Sequence, residues 1–257
     1  MHDIVDAKVR LLEMHHVAGT GHIGGNLSSL DVLMLLFHEF ISPDDFFVLS
    51  KGHCAGALYV TLSTVGIIDV EELSTFHKDG TRLTGHPTES LSNRIIFSTG
   101  SLGHGLSLAV GTGYALSLAK KPGRVFCLLS DGELQEGSTW EALVFLNHLG
   151  LTNVTVVIDD NGLQGFGSTR SVASMDPVER RLEGFDLQRV VVNGHSLDEL
   201  RSALGNRPHG VARPLVLIAK TMKGNGVSFM EGKMEWHYLP LTDDEFRSAL
   251  KELRSKI

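Results

Sequence analysis

The sequence predicts an α/β protein in which helices cover both faces of a mostly parallel β-sheet. The runs 125–129 and 154–158 are short and almost free of polar residues, as in strands that are buried on both faces. Strand-like runs alternate with helical patterns along the chain, which is typical of parallel sheets. The length of 257 residues suits one large domain of this class, so we expect a single domain over 1–257.

Each element follows from the local pattern of apolar residues, glycines and polar caps. Strands are expected at 46–50, 124–130, 154–159, 188–192 and 214–219. Helices are expected from the start to about 17 and at 55–65, 103–118, 136–149, 196–204 and 243–255. A further helix should follow the glycine-rich break at 19–26, with Ser28 or Ser29 as its N-cap.

Composition argues against several classes of protein. The net charge is −7 with no block of Lys or Arg, which disfavours nucleic-acid binding. No apolar run reaches the ~20 residues that cross a bilayer, and the first residues lack a secretory signal pattern, so we expect no membrane association. Cys54 and Cys127 lie in apolar stretches, which favours thiols packed in the core and a cytoplasmic protein.

The most informative side chains follow two of the predicted strands. Asp131 comes directly after 124–130, and Asn161 closely follows 154–159. The carboxyl ends of parallel strands meet at one edge of a sheet, so these side chains could share a site. Their oxygens suit Mg²⁺ or Ca²⁺, with the Leu163 carbonyl as a third ligand, and Mg²⁺ usually shares its shell with phosphate. Gly132 would let the backbone approach that phosphate closely.

A purely structural interpretation of the same residues stays open. Asp131 would then only cap the helix that follows, and Asn161-Gly162 would form a turn.

Histidines form the second candidate group. The chain has 13 histidines, and His22, His53, His86 and His237 lie in loops beside Gly, Pro or Trp. Imidazole suits phosphate oxygens, sugar hydroxyls and proton transfer near neutral pH. A single loop histidine is usually only solvated, but four in one domain favour a common site. Histidines without such context, among them His195, are interpreted as surface or packing residues.

Three further patterns are weaker. The glycine-rich turn 99–105 opens a helix and could hold an anion, although it lacks both the Walker lysine and the dinucleotide glycine spacing. Glu136 and Glu141 follow the predicted metal turn, where both could be ordinary exposed helix acids. The segment 223–226, followed by Trp236-His237, is typical of a mobile phosphate-contacting loop.

Taken in order, these segments resemble the N-terminal half of transketolase, a thiamine diphosphate enzyme. The matching stretches are 21–25, 50–53, 85–87, 99–105, 130–137, 160–164 and 220–231. They span nearly the whole chain in family order, which is more specific than any one motif. Three features depart from the usual pattern of the family: Ser130 replaces a glycine, His104 replaces a glutamine, and the loop between His86 and Thr99 is short.

The resemblance implies a cofactor, a metal and a set of contacts. Asp131, Asn161 and the Leu163 carbonyl would hold Mg²⁺ (or Ca²⁺ or Mn²⁺) on the diphosphate of thiamine diphosphate. The residues implied in catalysis are His22, His86, His237 and Glu136. Glu136, with Glu141 as a further candidate, would belong to an acidic network between two active sites of a dimer. The implied cofactor contacts are His53, Ser101, Leu102, Gly103, Asp131, Gly132, Glu133, Asn161 and His237.

The resemblance covers only the diphosphate-binding domain of transketolase. The pyrimidine-binding and C-terminal domains would therefore lie on a partner chain, with two copies of each subunit, and the chain alone would be inactive. The expected activity is transfer of a two-carbon ketol unit from a ketose or its phosphate to an aldose. Two alternatives stay open: another thiamine diphosphate enzyme, such as a 2-oxo acid dehydrogenase or an acyloin-type synthase, and a non-catalytic module.

Overall fold

A computed structural model describes residues 4–89, 91–205 and 213–255. The strands in these ranges are β1 (Phe46–Leu49), β2 (Val125–Ser130), β3 (Val154–Asp160), β4 (Leu163–Gln164), β5 (Gly167–Ser168), β6 (Gln188–Asn193) and β7 (Leu215–Lys220). Five of them form one parallel sheet in the order β1-β2-β3-β7-β6, and β4 pairs with β5 as a small hairpin. The expected α/β fold with a parallel sheet is confirmed, and each main strand lies within one residue of its predicted bounds.

Helices pack on both faces of the sheet. They are α1 (Ile4–Ala18), α2 (Ile23–Leu35), α3 (Ala55–Thr64), α4 (Gly105–Leu118), α5 (Gly137–Leu149), α6 (Thr169–Ala173), α7 (Val178–Arg181), α8 (Leu197–Gly205) and α9 (Asp243–Arg254). One apolar core contains residues of α1, α2, α3, α8 and α9, and the second contains residues of α4, α5 and α7. Within β2, Leu128 belongs to the first core, whereas Cys127 and Leu129 belong to the second. Burial on both faces explains why the strand is apolar at consecutive positions.

The two cysteines behave as their apolar neighbours suggest, since Cys54 and Cys127 are buried free thiols. Across the ranges that the structure describes, no helix is long and apolar enough to cross a membrane.

The start of α2 differs from the sequence-based expectation. The helix begins at Ile23 after His22, whose φ of 66° is left-handed, so Ser28 and Ser29 are helical residues and not N-caps. Their hydroxyls donate to the Asp159 carboxylate of β3, at 2.6 Å and 3.0 Å. The expectation of a serine cap was wrong because the partner of these hydroxyls comes from a distant strand, which no local pattern reveals.

Candidate active site

A cleft of about 360 Å³ lies at the carboxyl ends of the central strands. The strand register pairs Ser130 of β2 with Asp159 of β3, and Asp160 of β3 with Lys220 of β7. The turns after β2 and β3 therefore start at the same edge of the sheet, which is where open α/β sheets bind ligands. The described lining of the cleft includes residues from both turns and from loops before α2, α3 and α4.

The turns that carry Asp131 and Asn161 are in direct contact. The Gly162 N–H donates to Asp131 Oδ2 at 2.9 Å, and the Thr169 hydroxyl donates to the same oxygen at 3.1 Å. Asp131 is only 2% exposed. Burial, reinforced by the charges of Asp160 and Asp159, raises the pKa of Asp131 to about 7. A carboxylate in this setting is stabilised by any cation that binds beside it.

Asp131 also has the structural role that the sequence left open. Its Oδ1 accepts from the Gly132 N–H at 2.9 Å and so caps the short 3₁₀ turn Gly132–Gln135. The two interpretations are compatible, because a carboxylate oxygen can accept more than one interaction. Asn161 Oδ1 likewise accepts from the Leu163 N–H at 3.0 Å, which fixes the amide within the second turn.

A buried ion pair lies beneath these turns. The Lys51 ammonium contacts the Asp159 carboxylate, and their side chains are 1% and 0% exposed. Burial alone would raise the pKa of Asp159, but the Lys51 charge and hydrogen bonds from Lys51, Ser28 and Thr221 outweigh it and keep that pKa low. Lys51 also lines the cleft, so the pair joins the floor of the cleft to the hydrogen-bond network of α2.

Four histidines from separate loops converge in the same cleft. The ring centroid of His22 lies 5.4 Å from that of His53, 4.9 Å from that of His237 and 6.5 Å from that of His86. The backbone N–H of His22 donates to the backbone carbonyl of His237 at 3.0 Å, which joins the loop before α2 to the 3₁₀ turn Met234–His237. The sequence grouped these four histidines by loop context alone, and the fold brings them together.

Burial keeps this histidine cluster neutral near pH 7. It lowers the pKa of His237 to about 3, with the positive charge of Lys223 as the next cause. Burial also lowers the pKa of His53 well below its usual value, and those of His22 and His86 to a smaller extent. A neutral imidazole offers one donor and one acceptor, which suits hydroxyl groups as well as phosphate oxygens.

Lys223 is a second lysine in the cleft. Its Nζ lies 3.1 Å from His237 Nδ1, and the residue is 2% exposed. Burial, followed by the positive charge of Lys51, lowers the pKa of Lys223 to about 8. An ammonium can only donate, so Nδ1 is the acceptor and the proton of neutral His237 is on Nε2. The cleft thus combines two lysines and four histidines, as in a site for an anionic ligand. The strongly perturbed Asp131 carboxylate is itself outside the described lining and is buried between two lining residues, Ser130 and Gly132.

Residues 2–256 match the protein family described as transketolase, thiamine diphosphate binding domain. The chain belongs to the transketolase family. It is an N-terminal transketolase subunit, and the reaction class of the family is ketol transfer.

Two curated relatives, each named as one subunit of a transketolase, have nearly the same extent as this chain. The apulose-4-phosphate transketolase subunit of Phocaeicola vulgatus is 38% identical, over 96% of this chain and 91% of the relative. The 6-deoxy-6-sulfo-D-fructose transketolase subunit of a Clostridium species is 33% identical, over 96% of this chain and 94% of the relative.

Solved transketolases share the fold but are longer. The crystal structure of the Campylobacter jejuni transketolase matches 98% of this chain with a TM-score of 0.87 and 27% identity. The match covers 42% of that protein, so this chain spans less than half of the solved transketolase.

The other residues that were expected to contact the cofactor divide into those that line the cleft and those that lie outside its lining. Leu102, Gly132, Asn161 and Leu163 line the cleft together with the four histidines. Ser101 is exposed and lies outside the described lining.

Glu133 and Gly103 also lie outside that lining, in the interior. Glu133 is 0% exposed, and its carboxylate accepts from the Gly103 N–H at 2.7 Å and from the Ser50 hydroxyl. Burial raises the pKa of Glu133. Glu133 therefore braces the glycine-rich turn from below, and any effect on a ligand would be indirect.

Glu136 and Glu141 are both exposed. Glu136 packs against Gly103, where a Cβ on the glycine would approach the Glu136 Cβ to 2.7 Å. Both acids are on the surface of the described chain, where they are accessible to another subunit.

Sequence reasoning missed several residues of the cleft. Lys51 stood in a quoted motif without a role, and Lys223 was noted only as part of a phosphate-contacting loop, although each precedes a glycine in a loop after a strand. The β4–β5 hairpin was not foreseen, and its tip places Phe166, 84% exposed, at the cleft. The Tyr238 hydroxyl donates to the Gly165 carbonyl at 2.7 Å and so connects this hairpin to the His237 loop. The local sequence around Tyr238 and Gly165 gave no signal for this hydrogen bond.

Proposed function

We propose that this chain is the thiamine diphosphate-binding subunit of a heteromeric transketolase. It would act in transfer of a two-carbon ketol unit from a ketose phosphate, or a similarly anionic ketose, to an aldose. One observation carries the proposal: His22, His53, His86, His237 and the Asp131 turn meet in a single cleft at the end of a parallel sheet. This combination provides for a metal, a diphosphate and a polyol substrate at one place.

The Asp131 side of the cleft fits a divalent cation on a diphosphate. Asp131, the Asn161 amide and the Leu163 carbonyl are proposed to hold Mg²⁺. Among the described residues, no group of three or more His, Cys, Asp or Glu could hold a metal alone. The proposed set supplies three protein ligands, so an octahedral Mg²⁺ here would take its other ligands from phosphate oxygens and water.

The basic loops would bind the cofactor diphosphate. Lys223 holds His237 with Nε2–H as its donor, and His53 lies 5.5 Å from that ring. We assign both histidines to the diphosphate oxygens, with Gly132 against the phosphate and Leu102 against the cofactor ring. Bound thiamine diphosphate supplies the carbanion-stabilising centre of the reaction.

His22 and His86 are assigned to the hydroxyl groups of the sugar. Because their pKa values are lowered by burial, both are neutral at physiological pH and can donate and accept in the same complex. Together with His237, they would orient the substrate hydroxyls through these hydrogen bonds. A polyol substrate uses such groups, whereas a small 2-oxo acid offers no hydroxyls for them.

The other domains of the enzyme are proposed to come from a partner chain, with two copies of each subunit. The extent of the relatives supports this, because the chain covers 91% of a relative that is itself named as a transketolase subunit, but 42% of a solved transketolase. Exposed Glu136 would meet the second half of the assembly. Two buried free thiols are consistent with a cytoplasmic location.

Native mass spectrometry with thiamine diphosphate and Mg²⁺, followed by an activity assay, tests the proposal. We expect a complex with a second chain, carrying one cofactor per pair of subunits. The complex should transfer ketol units from donors such as xylulose 5-phosphate, fructose 6-phosphate, apulose 4-phosphate or 6-deoxy-6-sulfo-D-fructose, and the partner-free chain should be inactive.

Three results would count against this assignment. Pyruvate decarboxylation without ketol transfer would assign the complex to another class of thiamine enzyme. Activity of the partner-free chain would contradict the split-enzyme proposal. Failure of the complete complex to bind thiamine diphosphate would support a non-catalytic module.

A further inference from the structure

His195 lies outside the cleft but contacts two elements that build it. It stands between β6 and α8, and its side chain is 18% exposed. Its Nδ1 lies 2.5 Å from Asp31 Oδ2, on α2. Its Nε2 accepts from the backbone N–H of Met222 at 2.8 Å. The sequence had placed His195 among surface or packing residues, and these two contacts give it a more specific position.

The contacts define which ring nitrogen carries the proton. A backbone N–H can only donate, so Nε2 must be unprotonated, and Nδ1–H donates to Asp31. The Asp31 carboxylate is held in place by Lys8 Nζ at 3.7 Å and by Asn225 Nδ2, which donates to it at 3.2 Å. Asn225 Nδ2 also lies 2.9 Å from His195 Nδ1, but both groups are donors in this tautomer, so that contact is not a hydrogen bond. A carboxylate that accepts from one ring nitrogen fixes the other as an acceptor. Asp31 thereby prepares His195 to receive the Met222 N–H.

Met222 directly precedes Lys223, whose side chain reaches into the cleft. The backbone around this lysine is anchored on both sides, because the Gly224 N–H donates to the Gly24 carbonyl at 2.9 Å. Lys223 Nζ in turn lies 3.1 Å from His237 Nδ1. A continuous series of contacts therefore leads from Asp31 through His195 and the 222–224 backbone to the His237 ring.

We propose that the Asp31–His195 pair is a positioning unit for Lys223 and, through it, for the Nε2–H donor of His237. His195 itself touches no reacting group, since its Nε2 is engaged by Met222 and its exposed edge lines a separate depression with Val191 and Thr221. The proposal rests on the proposed function, because it assigns the cofactor diphosphate as the group that His237 binds.

The two halves of the imidazole can be tested separately. In His195→Asn the amide can still donate to Asp31, but Met222 loses its acceptor. In His195→Gln the amide oxygen can reach the Met222 N–H, but the contact with Asp31 is lost. Titration calorimetry of the complex at saturating Mg²⁺ should show a rise of about tenfold in the thiamine diphosphate Kd for His195→Asn, the value of about one hydrogen bond. His195→Gln should show a clearly smaller rise.

A double-mutant cycle distinguishes positioning from general destabilisation. If His195 acts through His237, adding His195→Asn to His237→Ala should raise the Kd by less than about twofold, because the contact it supports is already absent. The matched control is His38→Asn, which removes a partly buried histidine that bonds Thr64 at 2.9 Å. We expect it to lower the melting temperature with no change in Kd.

Independent effects in the cycle, or equal Kd values for the Asn and Gln variants, would overturn the proposal. A fall in melting temperature alone would reduce His195 to a packing residue and would also overturn it. Absence of cofactor binding by the wild-type complex would instead contradict the proposed function, and this proposal with it. If the wild-type complex binds the cofactor but the effects of the two substitutions on the Kd are additive, only the positioning role would be refuted.

Discussion

The acidic turns after β2 and β3 and the basic loops around the histidines respond to burial in opposite ways. At Asp131, burial and two neighbouring carboxylates raise the pKa to about 7. At His237 and Lys223, burial and neighbouring positive charges lower the pKa to about 3 and about 8. Each group is shifted toward its neutral form, because burial disfavours the charged form and neighbouring like charges add to that effect.

The contrast between the acidic turns and the basic loops indicates what kind of ligand the cleft can bind. A cation alone would relieve Asp131 but would be repelled by the lysines. An anion alone would suit Lys51 and Lys223 but would be repelled by Asp131. A divalent cation bound to a diphosphate meets both demands at once, which is a physical reason to expect the two to bind together. Changes to the buried ion pair, the acidic turn and the histidine cluster should therefore have separable effects.

The largest effect is expected at the buried ion pair that supports both regions. Lys51→Met would leave the Asp159 carboxylate buried without its counter-charge, which should lower the free energy of unfolding by about 3–5 kcal/mol. Urea denaturation of the purified chain measures this change. In the matched control Arg201→Met, which breaks exposed contacts with Glu39 and Asp198, little change is expected.

The double variant Lys51→Met/Asp159→Leu sharpens the result. Removal of both charges should recover part of the lost stability, because a buried pair is often replaceable by apolar side chains. The recovery should be incomplete, since the Thr221 hydroxyl would lose its Asp159 acceptor and those of Ser28 and Ser29 would keep only the Gly25 carbonyl. If the single variant Lys51→Met were as stable as the wild type, Lys51 would not act as a buried counter-ion.

The acidic turn is also the region that the sequence predicts best. An apolar strand followed by Asp131, and another followed closely by Asn161, is a local pattern, and the parallel register brings the two together. The histidines were identifiable only as four unusual loop residues, because their convergence depends on distant segments. Asp159 was not singled out, Lys223 was noted only as part of a phosphate-contacting loop, and His195 was interpreted as a surface or packing residue. Their roles arise from partners far along the chain, and buried charges within apolar strands give no periodic signal.

A smaller but pH-dependent effect is expected at Asp131. Its pKa rises from 3.8 to about 7 on folding, so the folded chain holds this proton more tightly than the unfolded chain. The resulting stabilisation is complete below about pH 4 and disappears as the pH rises toward about 7. Without ligand, Asp131→Asn should therefore be more stable than the wild type above about pH 7, by up to about 4 kcal/mol.

The same variant should bind the cofactor poorly. Loss of the charge of this proposed metal ligand is expected to weaken thiamine diphosphate binding by roughly 100-fold or more, since even indirect metal partners contribute about 10–100-fold. Asp160→Asn is the matched control, because Asp160 is a neighbouring carboxylate that pairs with Lys220 at 2.6 Å and is not a proposed metal ligand. A stability difference between wild type and Asp131→Asn that stays constant from about pH 4 to 8 would contradict the raised pKa.

The smallest effects should divide the histidine cluster itself. If His53 and His237 contact the diphosphate, His53→Gln and His237→Gln should raise the cofactor Kd by roughly 10- to 100-fold, the range for hydrogen bonds to charged groups. If His22 and His86 contact neutral hydroxyls, their Gln variants should raise the KM of the ketose donor by about 3- to 10-fold and leave the cofactor Kd unchanged. Calorimetry and steady-state assays on the assembled complex give both constants. Because the rings of His22 and His53 are 5.4 Å apart, their double variant should deviate from additivity. If all four variants changed the same constant by similar factors, the division of the cluster into diphosphate and sugar contacts would be wrong.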